Sequence, residues 1–165
     1  MLRSRLVVAD NEQIIRDALI TLFEADADIQ PSGTYNITKW WRRAEDGIYN
    51  KRTPFGYVEF QERIVDEAGS DINNVGYFFV YEIGILASAG SKNSYKADDN
   101  VTVLLDKIED VLLENRTVSG SVDDLAIPIE KEFSRGRLPE GGSLYQDISW
   151  GIIRVAFTKK ITARQ

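Results

Sequence analysis

Residues 75–88 read VGYFFVYEIGILAS, and the fold turns on how this stretch is read. Aromatic and β-branched residues dominate it, as they do in strands. In a strand successive side chains point to opposite faces. Tyr77, Phe79, Tyr81, Ile83 and Ile85 then share one face. Phe78, Val80 and Leu86 share the other, interrupted by Glu82 and Gly84. A strand apolar on both sides needs cover on both sides. The chain's own helices are expected to supply one cover, and another subunit the second.

Upstream, residues 55–65 (FGYVEFQERIV) alternate as a strand with one wet face. Val58, Phe60, Glu62 and Ile64 are expected on one side; Tyr57, Glu59, Gln61 and Arg63 on the other. DEAGSDINN at 66–74 is a turn. Downstream, 89–99 is a polar loop, followed by a helix over 100–114. Val101, Leu104, Leu105, Ile108, Val111 and Leu112 give that helix one apolar stripe, with Asp98, Asp99 or Asn100 as its cap. A second stripe, Ile14, Ile15, Ala18, Leu19, Leu22 and Phe23, predicts a helix over 10–25, opened by a capping box of Asp10 and Gln13.

Residues 117–134 read as one long or two short strands, with Leu125, Ile127, Ile129 and Phe133 on one face. Pro128 places this segment at an edge or a bulge. Residues 134–147 form a Gly- and Pro-rich loop. The last strand, 148–163, sets Ile153, Val155, Phe157 and Ile161 against Arg154, Thr158 and Lys160. The sum is one α+β domain over 1–165: a four-stranded, mostly antiparallel sheet with two amphipathic helices on one face. Residues 26–54 form a long arm between the first helix and the first strand, longer than an ordinary connection.

The 165 residues carry a formal net charge of −6 and contain neither Cys nor His. The acidic balance argues against tight nucleic-acid binding by the whole domain. Without His and Cys there is no Ser–His triad, no thiolate zinc site and no disulfide framework. No segment is long and apolar enough to span a membrane, so a soluble protein is expected. The acidic clusters at 98–100 and 122–124 read as a helix cap and a turn; the Gly-rich stretch lacks the Gly-Lys-Ser/Thr end of a phosphate loop. The expectation is no catalytic residue, no metal and no cofactor.

The arm contains TKWWRRAEDG at 38–47. Adjacent residues on a strand or a helix point in different directions, so one Trp packs at home and the other lies near the surface. Three readings of Trp40, Trp41, Arg42 and Arg43 stand side by side. They form a subunit contact, plain packing with the arginines solvated or paired to Glu45 and Asp46, or a base-stacking site. Further basic residues lie at Arg135 and Arg137 and at Lys159, Lys160 and Arg164.

An N-terminal amphipathic helix, a long connection and two strands come first. The helix VLLDKIEDVLLEN (103–115), the strand VSGSVDDLAI (118–127) and the closing strand WGIIRVAFTKKITA (150–163) follow. In order and length, over roughly 10–25 and 55–163, this resembles the tail terminator (tail completion) proteins of long-tailed bacteriophages. The resemblance implies a structural virion protein in the tail or neck, assembled in the host cytoplasm. It implies a homo-oligomeric, commonly hexameric ring that halts tail-tube polymerisation. Its partners would be the tail tube protein and a head-side neck or connector protein, with DNA passing through the lumen without specific binding. The loops 89–99 and 134–147 would then project toward axial partners. Trp40, Trp41, Arg42, Arg43, Tyr77, Phe79, Tyr81, Arg135 and Arg137 are the expected subunit or partner interface. The arm departs from the compact plan of the family. The alternatives are another head–tail connector or minor tail protein and, from a different class, a small cytoplasmic enzyme working through carboxylates.

Overall fold

The computed structural model describes residues 2–30, 37, 39–50, 54–88, 94–127, 129–140 and 144–162; side chains are described at 11–30, 37, 39–47, 54–87, 99–127, 129–134 and 149–162. The chain runs α1 (Leu2–Ala25), β1 (Trp40–Trp41), α2 (Ala44–Asn50), β2 (Phe55–Asp66), β3 (Asn74–Ser88), α3 (Ser94–Glu114), β4 (Asp124–Leu125), β5 (Glu130–Glu140) and β6 (Leu144–Thr162). The fold is α+β, with a mixed six-stranded sheet and three helices.

β3 lies inside the sheet, antiparallel to β2 on one side and to β6 on the other. β4 and β5 both pair with β6 along its far edge, β4 at Phe157 and Thr158 and β5 from Leu144 to Arg154. Of the segment 117–134, expected as strand, 117–123 is a turn and only 124–125 and 130–134 are strand, both on the edge; Pro128 lies outside the described residues. α1 packs over β2, and α3 over β3 and β6. Ile15, Leu19 and Phe23 of α1 and Val101, Leu104, Ile108 and Leu112 of α3 meet Phe79, Tyr81, Ile83, Val155 and Phe157 in one core. Both long helices therefore cover the same face, as their single stripes require.

Several expectations need correction. α1 begins at Leu2, not at residue 10, because residues 2–9 hold no Gly or Pro to stop it. Asp10 therefore lies inside the helix and not at its start. α3 likewise begins at Ser94, so Asp98, Asp99 and Asn100 lie within it; of the expected loop 89–99, only 89–93 fall outside the described residues. The expected loop at 134–147 is a hairpin, in which β5 pairs with β6 up to Glu140 and Leu144, and 141–143 lie outside the described residues. Pro139 is tolerated there because β5 is an edge strand. The sheet has six strands, not four: β1 adds a parallel pairing at Trp40–Gly56 and Trp41–Tyr57, and β4 is separate from β5.

The faces of β2 also change partway along. A bulge at Gln61 lets Phe60 pair with Tyr81 but Glu62 with Val80. One extra residue reverses every later side chain. Val58 and Phe60 face the helices, but Glu62 and Ile64 turn to the opposite face, against the expected alternation. Arg63 turns inward instead, where it meets Glu12 of α1 at 3.5 Å and lies 5.2 Å from the centre of the Tyr77 ring.

After α3 the chain turns through three successive left-handed residues, Val118 (φ 46), Ser119 (φ 55) and Gly120 (φ 81). A β-branched residue there is strained. Burial of Val118 holds the turn, together with its N–H donating to Asn115 O at 2.8 Å and Lys159 Nζ donating to Ser121 O at 2.6 Å. Burial lowers the Lys159 pKa. Arg116 donates from Nε and Nη2 to both carboxylate oxygens of Asp124, at 2.7 and 2.8 Å, and ties the turn to β4.

Candidate assembly surface

The double tryptophan forms the strand β1, and strand alternation sends its two rings to opposite faces. Trp40 goes to the helix side. It is only 5% exposed and stacks on Phe23 of α1 with ring centroids 4.8 Å apart. It lies across Gly56 of β2, where an added Cβ would come within 2.5 Å of the indole. Trp41 goes to the other face. It packs with Phe55, Tyr57, Leu86, Ala44 and Trp150 in a second, smaller cluster. Lys39 Nζ sits 4.1 Å above its ring, a cation–π contact. Neither indole nitrogen has a hydrogen-bond partner among the described residues.

The two arginines diverge as well. Arg42 pairs with Asp17 of α1 at 3.1 Å, not with Glu45 or Asp46. Arg43 has no described partner and lines a surface cleft of about 380 Å³ with Arg16, Arg42, Glu45, Glu59 and Phe60. Arg16 Nε is buried in this region without a hydrogen bond; its nearest charge is Asp17 at 3.9 Å. Glu59 accepts a 3.3 Å bond from Ala44 N, which caps α2 and fixes one wall.

Of the other expected interface residues, Phe79 and Tyr81 are fully buried under α1 and α3. Tyr81 donates to Glu12 O at 2.8 Å, and burial raises its phenol pKa. Tyr77 is half-buried, edge-on to Phe79. As folded, Trp40, Phe79 and Tyr81 present no surface to a partner, whereas Trp41, Arg42, Arg43 and Tyr77 do. Arg135 and Arg137 lie on β5, and their side chains are outside the described ones.

Opposite the helices the sheet is partly open. At one end α2 and the Trp41 cluster cover it. Across its middle, Glu59, Glu82, Arg154 and Glu130 stand in register on four neighbouring strands. Tyr57 donates to Glu82 at 2.8 Å, and burial, reinforced by that bond, pushes its phenol pKa up. Arg154 lies 3.7 Å from Glu82 and 3.1 Å from Glu132. By register this face carries the carboxylates of Glu59, Glu62, Asp66, Glu82, Asp124, Glu130 and Glu132 against Arg154 and Lys160. A second cleft of about 380 Å³ runs along it between Glu130, Lys131, Glu132, Ile152 and Arg154.

Among the described residues no three or more Asp or Glu side chains converge as a metal site, and no helix is long and apolar enough to cross a membrane. Sequence reasoning missed Arg16, Glu59, Phe60 and Ile72. Ile72, 96% exposed, is the one apolar residue in the DINN stretch of the β2–β3 turn, and that isolation was the available signal. No protein-family model matches the chain, and no curated protein matches it in sequence.

Proposed function

We propose that the protein is a structural virion component, a tail terminator that forms a ring on the end of a phage tail tube. The ring halts tube growth and offers a joining surface to the head-side neck. The observation that carries this reading is the separation of the sheet's two faces. One is sealed by α1 and α3. The other is broad, partly open and rich in carboxylates. Such a face suits a channel wall past which DNA slides, because like charge repels the phosphates and prevents sticking. The order of elements also supports it. A helix, two strands (β2 and β3), a second helix on the same sheet face and a closing strand (β6) follow the order that the resemblance implies.

The test is the native mass of the purified protein at several concentrations and salt levels, by light scattering or native mass spectrometry. The expected result is a discrete closed species near a hexamer, or a monomer that converts to it as concentration rises. A stable dimer carrying a bound metabolite would overturn the reading and favour an enzyme.

A further inference from the structure

The β2–β3 hairpin ends in a turn that is tied down by its own side chains. Asp71 accepts from Asn73 N and Asn74 N, both at 2.9 Å, and from Asn74 Nδ2. Asp66 Oδ1 accepts from Gly69 N at 3.0 Å, and Ser70 Oγ bridges from Asp66 O at 2.7 Å to Gly76 N at 2.9 Å. This fixed turn holds Ile72 at 96% exposure, the largest among the exposed apolar side chains described. One exposed isoleucine is ordinary on its own. Here, however, it leads a tip flanked by Asp66, Glu67 and Asp71. The same molecule carries a cleft in which three arginines outnumber two carboxylates, Glu45 and Glu59. Arg16, Arg42 and Arg43 line it over Phe60, Arg16 Nε lacks a hydrogen bond, and Arg43 lacks a described partner.

We infer that the β2–β3 tip of one copy docks in the Arg16–Arg42–Arg43 cleft of the next copy, with Ile72 against Phe60 and the tip carboxylates against the arginines. A chain cannot satisfy its own cleft, because Phe60 and the tip are separated along β2 by about 20 Å of strand. The two patches are different surfaces, so the contact is heterologous and propagates head to tail, closing into a ring if the rotation closes. The other cleft, lined by Glu130 and Glu132, meets the acidic tip with like charge. This inference rests on the ring reading and names the surfaces that would join it.

The chain has no cysteine, so an engineered pair reports without background. Ile72→Cys with Arg43→Cys, mildly oxidised, should give a ladder of covalent multimers on a denaturing gel, while either single variant stops at dimers. A ring by native mass without the ladder overturns the docking and leaves the ring standing. A ladder without a closed species keeps the docking and removes the ring. A monomer with no ladder overturns both. Ile72→Asp provides an independent check on a residue with almost no contacts to lose. It should keep the monomer's unfolding midpoint and raise the concentration needed for assembly roughly ten-fold or more. Arg43→Glu should weaken assembly similarly, and Glu67→Arg should restore it in part. Unchanged assembly in Ile72→Asp overturns the inference.

Discussion

Phe78 and Phe79 are chain neighbours on the same central strand, yet they belong to different environments. Phe79 is sealed under α1 and α3, while Phe78 stands half-buried on a face shared with Glu82 and Arg154. The same contrast divides Trp40 from Trp41. Apolar character on both sides of a strand marks a capacity for burial. Which side is sealed is set by the connections, here by two long helices that both return to one face.

Phe79→Ala attacks that contrast most directly: it should cost about 3–5 kcal/mol, against about 1–2 kcal/mol for Phe78→Ala, measured by urea unfolding curves. Trp40→Ala and Trp41→Ala should repeat the order. Equal costs would mean that the two faces are equally sealed.

Gly84→Ala sharpens the comparison from the open side. An added Cβ would stand 2.1 Å from the Tyr57 ring, which Glu82 holds in place. The expected cost is about 1–3 kcal/mol, falling by more than half in a Tyr57→Ala background. The smallest effect concerns Asp124. The side-chain bonds from Arg116 hold its carboxyl below the ordinary value of 3.8. Its contribution is therefore complete above that value and is lost as pH falls through the lower, folded value. Asp124→Asn should flatten part of the decline in the urea midpoint between about pH 5 and pH 2; an identical acid limb would remove the Arg116 bond from the account.

The two long helices and β3 were legible in the sequence because their patterns repeat. Ile15, Leu19 and Phe23 recur at helical spacing, and Phe79, Tyr81, Ile83 and Ile85 alternate. β1 was not, since two residues carry no period; Trp40 and Trp41 form a strand only because β2 lies beside them. The β5–β6 hairpin was hidden by Gly136 and Pro139, which an edge strand tolerates and a loop also favours. The bulge at Gln61 leaves no local mark, because register belongs to the pair of strands. At the candidate surface, the splitting of the tryptophans followed from alternation. Arg16 and Asp17 were unreadable as partners of the arm because the pairing is made by the fold.

The register of β3 with β6, running from Asn74–Thr162 to Ser88–Ile148, has a kinetic consequence. β2–β3 and β5–β6 are local hairpins, but the seam between them joins strands separated in the chain by α3, β4 and β5. Closing that long loop costs chain entropy before any contact repays it, so we expect the seam to zip late, after both hairpins exist. In pulse-labelled hydrogen exchange, β3 amides directed at β2 should gain protection before those directed at β6; simultaneous protection would refute this order. Until the seam forms, β3 and β6 each offer a long bare edge, the kind that attracts strands from other chains. A nascent chain of this protein therefore carries its greatest aggregation hazard in what becomes the middle of its finished sheet.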